Sequence, residues 1–282
     1  MLLQGKKIVI TGVLTPQSLA FSVAEQAQKD GAEILLTGVG RSLSLTQRSA
    51  KRLDPVPEVV ELDVTQPEHF AELTKTLKER WGVVHGALHA VAYAPDDALG
   101  GNFLRTPWES VATAMRISLF SLKELAVACL PLMTQGGSLV TLDFDNNRCA
   151  WPIYDWMGVC KAGLEATVRY LARDLGPKNV RVNAIAAGPL TTMAAKGIPG
   201  FATLERNWDK MAPLKWNSRE AHGSVAKAAV ALLSDYFDQT TGDMIHVDGG
   251  YHAIGAPSEE AFQEEVRKIR AELEAEKATS KH

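Results

Sequence analysis

Seven short segments rich in valine, isoleucine and leucine recur along this chain, separated by longer segments whose apolar residues follow a helical period. Such alternation is typical of β-α units, in which each helix returns the chain so that successive strands run parallel. We predict the strands at residues 7–11, 33–37, 59–62, 86–91, 138–142, 181–186 and 244–247. The pattern therefore predicts an α/β fold built on a seven-stranded parallel sheet.

Helix starts between the strands carry local signals. Thr65 and Thr106 each precede a glutamate by three residues, a spacing that predicts a capping box at the start of a helix. Pro107 is then expected at the first helical position, where its missing N–H costs nothing. Asn217 is expected to begin a further helix.

No Pro-, Gly- or Ser-rich linker, repeat or low-complexity tract divides the chain, and 46% of its 282 residues are hydrophobic. This composition supplies one sizeable core, so we assign residues 1–255 to a single domain. After Pro257 the character changes, because residues 259–281 are dense in Glu, Lys and Arg. We expect residues 256–282 to form a charged tail, either helical or disordered.

Charge and cysteine content exclude some classes of protein. A formal net charge of -3 without a basic block argues against nucleic-acid binding. The first residues lack a signal peptide, and an apolar segment over 117–133 is broken by two charged residues, so no membrane span is expected. The three cysteines have no metal-like spacing and lie among apolar neighbours, which predicts buried free thiols, a cytoplasmic protein and no metal site. They are Cys129, Cys149 and Cys160.

Tyr154 and Lys161 lie seven residues apart, about two helical turns, so on a helix both side chains leave the same face. A phenol beside an ammonium in a partly dry site can meet negative charge that develops on a substrate oxygen. A packed ring with a solvated amine is the commoner explanation of such a pair. The spacing alone does not distinguish a catalytic pair from this structural explanation, so other motifs of the sequence are needed.

The segment after the first predicted strand has the order strand, turn, helix, which aims backbone N–H groups at an anion. Gly12 supplies a tight turn, Ser18 is a candidate phosphate donor, and Ala20 lets the helix approach the sheet. The three-glycine fingerprint of dinucleotide sites is absent, and so is an acidic residue after the second strand. Asp63 is suited either to an adenine amino group or to capping a turn at Thr65.

Five ordered motifs together resemble the enoyl-acyl-carrier-protein reductases, a divergent branch of the short-chain dehydrogenase/reductases. The resemblance extends from Leu3 to about Ala253 and is greatest with mycobacterial and actinobacterial members. The motifs are Thr11-Gly12 with Ser18 and Ala20, Leu62-Asp63-Val64, His89 to Pro95, Tyr154 with Lys161, and Gly188-Pro189-Leu190-Thr191-Thr192. This resemblance implies a single Rossmann-type doubly wound domain with helices on both faces and a small helical substrate lid over residues 191–215.

The resemblance also implies an activity, the NADH-dependent reduction of the trans-2 double bond of enoyl thioesters in type II fatty-acid synthesis. Tyr154 would hydrogen-bond the thioester oxygen, Lys161 would hold the nicotinamide ribose, and Phe144 would wall the nicotinamide or serve only as core packing. NADH is favoured over NADPH, although Arg41 could suit a 2′-phosphate. The expected partners are an acyl carrier protein bearing the enoyl group and further copies of the chain in a homotetramer.

Further site residues follow from the same resemblance. The cofactor-binding set is Gly12, Ser18, Leu19, Ala20, Val39, Asp63, Val64, Val91, Ala92, Lys161, Gly188, Leu190 and Thr192. The substrate-binding set is Tyr93, Ala94, Tyr154, Met193 and Phe201. Apolar residues of the lid, among them Ile198 and Trp208, would cover a medium or long acyl chain or else pack on the surface.

The chain departs from the family pattern at two places. His89 to Tyr93 lacks a family serine, and Thr191 replaces an arginine, so weaker cofactor binding is expected. Two other functions stay open, a carbonyl or enone reductase with the same cofactor site and a non-catalytic dinucleotide-binding sensor. Retention of both Tyr154 and Lys161 argues against the sensor, because the fold requires neither.

Overall fold

Seven parallel strands form one sheet at the centre of the computed structural model, which describes residues 1–145, 149–196, 200–256 and 259–279. The spatial order is β3-β2-β1-β4-β5-β6-β7. The strands are β1 Lys7–Ile10, β2 Glu33–Gly38, β3 Glu58–Glu61, β4 Gly86–His89, β5 Gly137–Asp143, β6 Val180–Ala187 and β7 Met244–Val247. All seven predicted strands are confirmed.

Strand β4 ends two residues before its predicted end. The Ala90 N–H donates to Thr11 Oγ1 at 2.9 Å instead of continuing the ladder. Further on, the backbone N–H of Tyr93 donates to Ser118 Oγ, which in turn donates to the Tyr93 carbonyl. Side-chain hydroxyls therefore replace the neighbouring strands as partners of these backbone groups, so the strand ends and a loop begins.

Helices connect the strands and cover both faces of the sheet. The α-helices of the described residues are α1 Leu19–Lys29, α2 Leu43–Ala50, α3 Pro67–Arg80, α4 Trp108–Met115, α5 Ser121–Cys129, α6 Asp155–Leu175, α7 Met193–Lys196, α8 Phe201–Met211, α9 His222–Leu233 and α10 Glu259–Thr279. The charged tail thus contains the helix α10, one of its two expected states.

The predicted capping boxes are wrong. Helix α3 starts at Pro67 without a side-chain cap, and the Thr65 side chain donates to Asp63. Helix α4 starts after Pro107, while Thr106 Oγ1 donates to the carbonyls of the preceding loop. In both cases the loop before the helix supplies nearer partners for the threonine than the helix does. Asn217 likewise begins a turn, and α9 starts five residues later at His222.

Apolar side chains alternate between two cores, one on each face of the sheet. Ile8 and Ile10 of β1 point into the core beneath α1 and α9, whereas Val9 points into the core beneath α3, α5 and α6. All three side chains are fully buried. A strand buried on both faces is typical of doubly wound parallel sheets, so these cores confirm the predicted layers.

Two of the three cysteines are buried as predicted. Burial raises the pKa of the Cys129 thiol to about 12 and that of Cys160 to about 11, which leaves both unreactive at neutral pH. The prediction is wrong for Cys149, which is exposed because it lies in the loop between β5 and α6. No helix among the described residues is long and apolar enough to cross a membrane.

Candidate active site

The carboxyl ends of all seven strands meet at one edge of the sheet, where the strand order reverses between β1 and β4. At such a switch point the loops after neighbouring strands separate and leave a crevice, the usual ligand site of this architecture. The predicted site residues lie in the loops after β1 to β6 and at the starts of α1 and α6. The topology therefore brings them to a common edge.

Tyr154 lies in a strained turn just before α6. Its neighbours Ile153 and Asp155 have φ of 67° and 42°, values that non-glycine residues rarely adopt. The Asp155 carboxylate secures the turn, because it accepts the N–H of Gly101 at 2.6 Å and of Asn102 at 2.9 Å. The sequence predicted Tyr154 but gave no sign of this brace, which links two loops more than 50 residues apart.

The environment of Tyr154 keeps its phenol neutral. The ring meets Phe144 edge to face with centroids 5.4 Å apart. Burial, reinforced by the Asp143 carboxylate, raises the pKa of Tyr154 well above its ordinary value. The phenol therefore keeps its proton at neutral pH and can donate a hydrogen bond.

Lys161 lies in the second turn of α6 with its side chain almost entirely buried. Its Nζ donates to the Leu142 carbonyl at 2.8 Å and lies 3.7 Å from Asp143 Oδ1. A buried ammonium requires such partners, so this lysine is not the solvated amine of the commoner explanation. Asp143 was not predicted as a site residue, although its place directly before Phe144 at a strand end was a usable signal.

The turn after β1 admits only glycine at Gly12. This residue has φ of +82°, and an added Cβ would lie 2.0 Å from the Ala90 carbonyl oxygen. The adjacent Thr11 Oγ1 donates to the Leu88 carbonyl at 3.0 Å and accepts the Ala90 N–H. The ends of β1 and β4 are thereby held together at the switch point.

Helix α1 begins in this crevice. Ser18 Oγ accepts the N–H groups of Leu14 at 3.1 Å and Thr15 at 2.9 Å, which leaves its own proton available. No described side chain caps the first turn of α1, so the amides of Leu19 and Ala20 can receive an anion, while those of Phe21 and Ser22 donate to the Ser18 carbonyl. Ala20 is buried, in keeping with close approach of the helix to the sheet.

An acidic group lies beside the end of β2, although the sequence after β2 contains none. Glu61, the last residue of the neighbouring strand β3, accepts the Gly40 N–H at 3.2 Å, next to the exposed Val39. Asp63 and Val64 follow β3. Asp63 Oδ1 accepts from the Thr65 N–H and hydroxyl at 2.8 and 2.7 Å, which confirms its turn-capping alternative.

Val91 and Ala92 lie in the loop after β4 that Ser118 fixes, and the Ala92 side chain is exposed. Further along, the Tyr93 side chain is also exposed, whereas Ala94 is buried in a small apolar cluster against which Tyr154 packs. Of the residues predicted in this loop to bind cofactor or substrate, Ala94 is therefore the one that shares an apolar cluster with Tyr154.

Gly188 and Leu190 lie after β6 under two indole rings. A Cβ on Gly188 would lie 2.7 Å from the Trp216 ring and 2.9 Å from the Trp208 ring, so packing alone requires glycine. Leu190 is buried. Thr191 Oγ1 lies 2.7 Å from Ser218 Oγ, and a threonine therefore fits where the family pattern has arginine.

Thr192 and the lid helices follow this segment. Thr192 Oγ1 accepts the Ala195 N–H and so caps α7, where Met193 is exposed. Phe201 opens α8 and is partly buried. Of the predicted lid residues, Ile198 and the two flanking positions lie outside the described residues.

Trp208 of α8 faces the protein interior. Its ring stacks on Tyr251 with centroids 3.8 Å apart, and its Nε1 donates to the Asp248 carbonyl at 2.8 Å. Trp151 and Phe144 complete an aromatic cluster with it, at centroid distances of 5.3 and 5.5 Å. This cluster joins the lid to the turn of Tyr154, and no local sequence pattern could have assembled it.

A cavity of about 870 Å³ lies next to β7, lined by polar residues such as His246 and by Trp151 and Trp208. None of the predicted catalytic or cofactor residues lines it. We therefore place the candidate site in the crevice at the carboxyl edge of the sheet and not in this cavity.

The crevice at the switch point has an uncapped helix start and lies beside a partly buried tyrosine and a buried lysine. These features define a dinucleotide-binding oxidoreductase of the short-chain dehydrogenase/reductase type. A family model described as enoyl-(acyl carrier protein) reductase matches residues 12–252. The chain belongs to that family.

Known proteins of this family are similar over most of their length. The chain is 41% identical over 263 residues to the enoyl-acyl-carrier-protein reductase (NADH) of Mycolicibacterium smegmatis, covering 88% of this chain and 97% of the relative. The Rickettsia felis enzyme of the same name is 40% identical, with coverages of 90% and 97%. A crystal structure of the Bacillus cereus enoyl-acyl carrier protein reductase with NADP+ and indole naphthyridinone has a TM-score of 0.87 and 38% identity, with coverages of 90% and 99%.

Proposed function

We propose that this chain is an NADH-dependent enoyl-acyl-carrier-protein reductase of type II fatty-acid synthesis. Its substrates would be trans-2-enoyl thioesters of acyl carrier protein or coenzyme A, reduced at the carbon–carbon double bond. The observation that carries the proposal is the partly buried, neutral Tyr154 and the buried Lys161 at the same sheet edge as the dinucleotide crevice. The names of the similar enzymes support it.

Bound NADH would supply the hydride that the β-carbon of the substrate receives. Tyr154 would donate a hydrogen bond to the thioester oxygen as it becomes negative, a stabilisation that is strongest in the transition state. Loss of one such donor typically costs about 2.7–4 kcal/mol of barrier. Lys161 would hold the nicotinamide ribose hydroxyls, and Phe144, in contact with the Tyr154 ring, would wall the nicotinamide.

The cofactor would lie along the crevice from β3 to β6. Its pyrophosphate would meet the start of α1, where the first amides have no side-chain cap. The remaining contacts would come from the loops after the strands. The residues proposed to bind it are Gly12, Ser18, Leu19, Ala20, Val39, Asp63, Val64, Val91, Ala92, Lys161, Gly188, Leu190 and Thr192.

The placement of Glu61 supports NADH over NADPH. Its carboxylate lies beside the Gly40 amide at the adenosine end of the crevice, where it would repel a 2′-phosphate. Arg41 would favour that phosphate, and the similar Bacillus cereus protein was crystallised with NADP+. Both cofactors therefore belong in the test.

The acyl group would lie between the loop after β4 and the lid over residues 191–215. Tyr93, Met193 and Phe201 offer apolar side chains there, and Ala94 packs in one cluster with Tyr154. We propose a medium or long chain, since the lid helices α7 and α8 are short, with 4 and 11 residues.

We also propose a homotetramer built from a catalytic domain over residues 1–255, acting in the cytoplasm with acyl carrier protein as partner. Strand β7 is an open edge of the sheet, which proteins commonly cover by association. Large side chains on α4, α5 and α6 are exposed and would be buried by a second copy. They are Trp108, Val127, Val159 and Tyr170. The buried free thiols support a reducing compartment.

Steady-state kinetics with NADH and NADPH across a series of enoyl thioesters tests the function, with ketones and enones as a parallel series. We expect NADH oxidation with enoyl thioesters and a loss of about a thousandfold in kcat/KM for Lys161→Ala. Full activity of that variant would contradict the proposal. Turnover of ketones alone would indicate a carbonyl reductase, and binding without any turnover would indicate a sensor.

A further inference from the structure

Asp143, the last residue of β5, is a buried carboxylate to which the proposed reaction gives no role. Its side chain has no exposed surface. Oδ1 accepts the Phe144 N–H at 2.8 Å, while Oδ2 has no hydrogen-bond partner among the described residues. A buried carboxylate oxygen without a partner is costly, and its retention at a strand end in the crevice calls for a physical reason.

The reason lies in the geometry of Lys161. An ammonium has three N–H donors, and one of them is fixed by the Leu142 carbonyl at 2.8 Å. Asp143 Oδ1, 3.7 Å from Nζ, is too far for a direct hydrogen bond but near enough to balance the charge. Two consecutive residues of β5 thus hold the ammonium from one side and leave a donor for a ligand.

We propose that Asp143 is a positioning residue, which orients the Lys161 ammonium toward the nicotinamide ribose and offers Oδ2 to a ligand hydroxyl or a bound water. This inference rests on the proposed function, in which Lys161 holds that ribose. It adds a residue whose charge, and not merely its volume, matters for cofactor binding.

Asp143 also makes the binding of the cofactor by Lys161 dependent on pH. Burial raises the pKa of its carboxyl to about 6, with Lys161 opposing the shift and Asp145 adding to it. Two other groups nearby keep one charge state over this range, since Tyr154 has a raised pKa and His89 has a pKa lowered to about 3 by burial. Below about pH 6 the neutral carboxyl no longer balances the ammonium, so NADH binding should weaken.

The test is the Kd for NADH, measured by fluorescence titration of the full chain between about pH 5.5 and 8. For the wild type we expect Kd to rise about threefold from pH 7.5 to pH 5.5, the change that a group with a pKa near 6 produces when its neutral form binds NADH about tenfold more weakly. Asp143→Asn, which keeps the shape, should bind about tenfold more weakly at pH 7.5 and show no pH dependence. The matched control Asp145→Asn should keep the dependence with its midpoint at lower pH, because one negative charge is removed.

Two results would overturn the inference. One is an Asp143→Asn variant that binds NADH with the affinity and pH dependence of the wild type. The other is a wild-type Kd that does not change over this range, which decides the matter even where Asp143→Asn fails to fold. Enoyl reduction by the wild type keeps the two proposals apart, since it tests the function whatever Asp143 does.

Discussion

The two ends of the crevice are built in different ways. The nucleotide end depends on backbone and small residues, where Gly12 lies against the Ala90 carbonyl and Thr11 links β1 to β4. The acyl end depends on large rings from three distant segments, among which Trp208 stacks on Tyr251 and contacts Phe144. Short-range sterics thus define one end, whereas long-range packing defines the other.

This difference suggests how each end responds to change. A backbone turn without space for a methyl group cannot be altered without losing its shape, so the nucleotide end should be intolerant of substitution. An aromatic cluster can repack, so the acyl end should lose stability and substrate fit before it loses cofactor binding. Substitutions at each end can separate these effects.

The largest effect is expected from Gly12→Ala. The new Cβ would meet the Ala90 carbonyl oxygen at 2.0 Å, so the turn must move. We expect NADH affinity to fall more than about a thousandfold and the free energy of unfolding to fall by at least about 4 kcal/mol. Gly5→Ala is the matched control, because its φ of +74° is similar but nothing lies within 4 Å. Equal effects of the two substitutions in calorimetry and chemical unfolding would show that backbone strain, not contact, is responsible.

At the acyl end, Trp208→Ala should lower the free energy of unfolding by about 3–5 kcal/mol, because it removes a buried ring and its hydrogen bond to Asp248. In the folded fraction, KM for the enoyl thioester should rise while the Kd for NADH changes less than about twofold. Tyr236→Ala, at a ring that is 76% exposed, should change stability by less than about 0.5 kcal/mol. A large rise in the Kd for NADH would show that the two ends are not separate.

Tyr154 lies between the two ends, and Tyr154→Phe removes only its hydroxyl. We expect kcat to fall by a factor equivalent to about 2.7–4 kcal/mol, with NADH binding unchanged. Tyr236→Phe, at a ring that is 76% exposed, is the control, because it removes the same hydroxyl away from the site. Stopped-flow measurement of NADH oxidation reports the step directly, and an undiminished rate would remove Tyr154 from the mechanism.

His89 lies on β4, where the nucleotide end joins the acyl end, and its ring nitrogens each lie 2.8 Å from a hydroxyl, of Thr141 and of Ser121. Burial lowers its pKa from 6.5 to about 3. The unfolded chain therefore binds a proton below about pH 6.5 that the folded chain rejects, and the stability from this group is lost as pH falls. Between pH 7 and pH 5 the wild type should lose about 2 kcal/mol more than His89→Gln in urea unfolding. Equal losses of unfolding free energy in the wild type and in His89→Gln would contradict a neutral, buried His89.

The sequence predicted what depends on local pattern and failed where distant segments meet. The strands followed from short segments rich in valine, isoleucine and leucine, and Gly12, Tyr154 and Lys161 followed from motifs. Asp143 and Glu61 escaped prediction because their importance comes from Lys161 on α6 and from Gly40 on the neighbouring chain segment. The predicted capping boxes at Thr65 and Thr106 were wrong for the same reason, since each threonine hydroxyl donates to a partner outside the helix that follows it.

The central claim is that hydride passes from the cofactor to the β-carbon of an enoyl thioester held by Tyr154. The most direct measurement is the mass and the proton NMR spectrum of the product formed from crotonyl-CoA and NADH deuterated at the transferable C4 position. We predict butyryl-CoA with one deuterium at the β-carbon. A product without deuterium at that carbon, or crotonyl-CoA left unreduced while ketones take up the label, would contradict the claim.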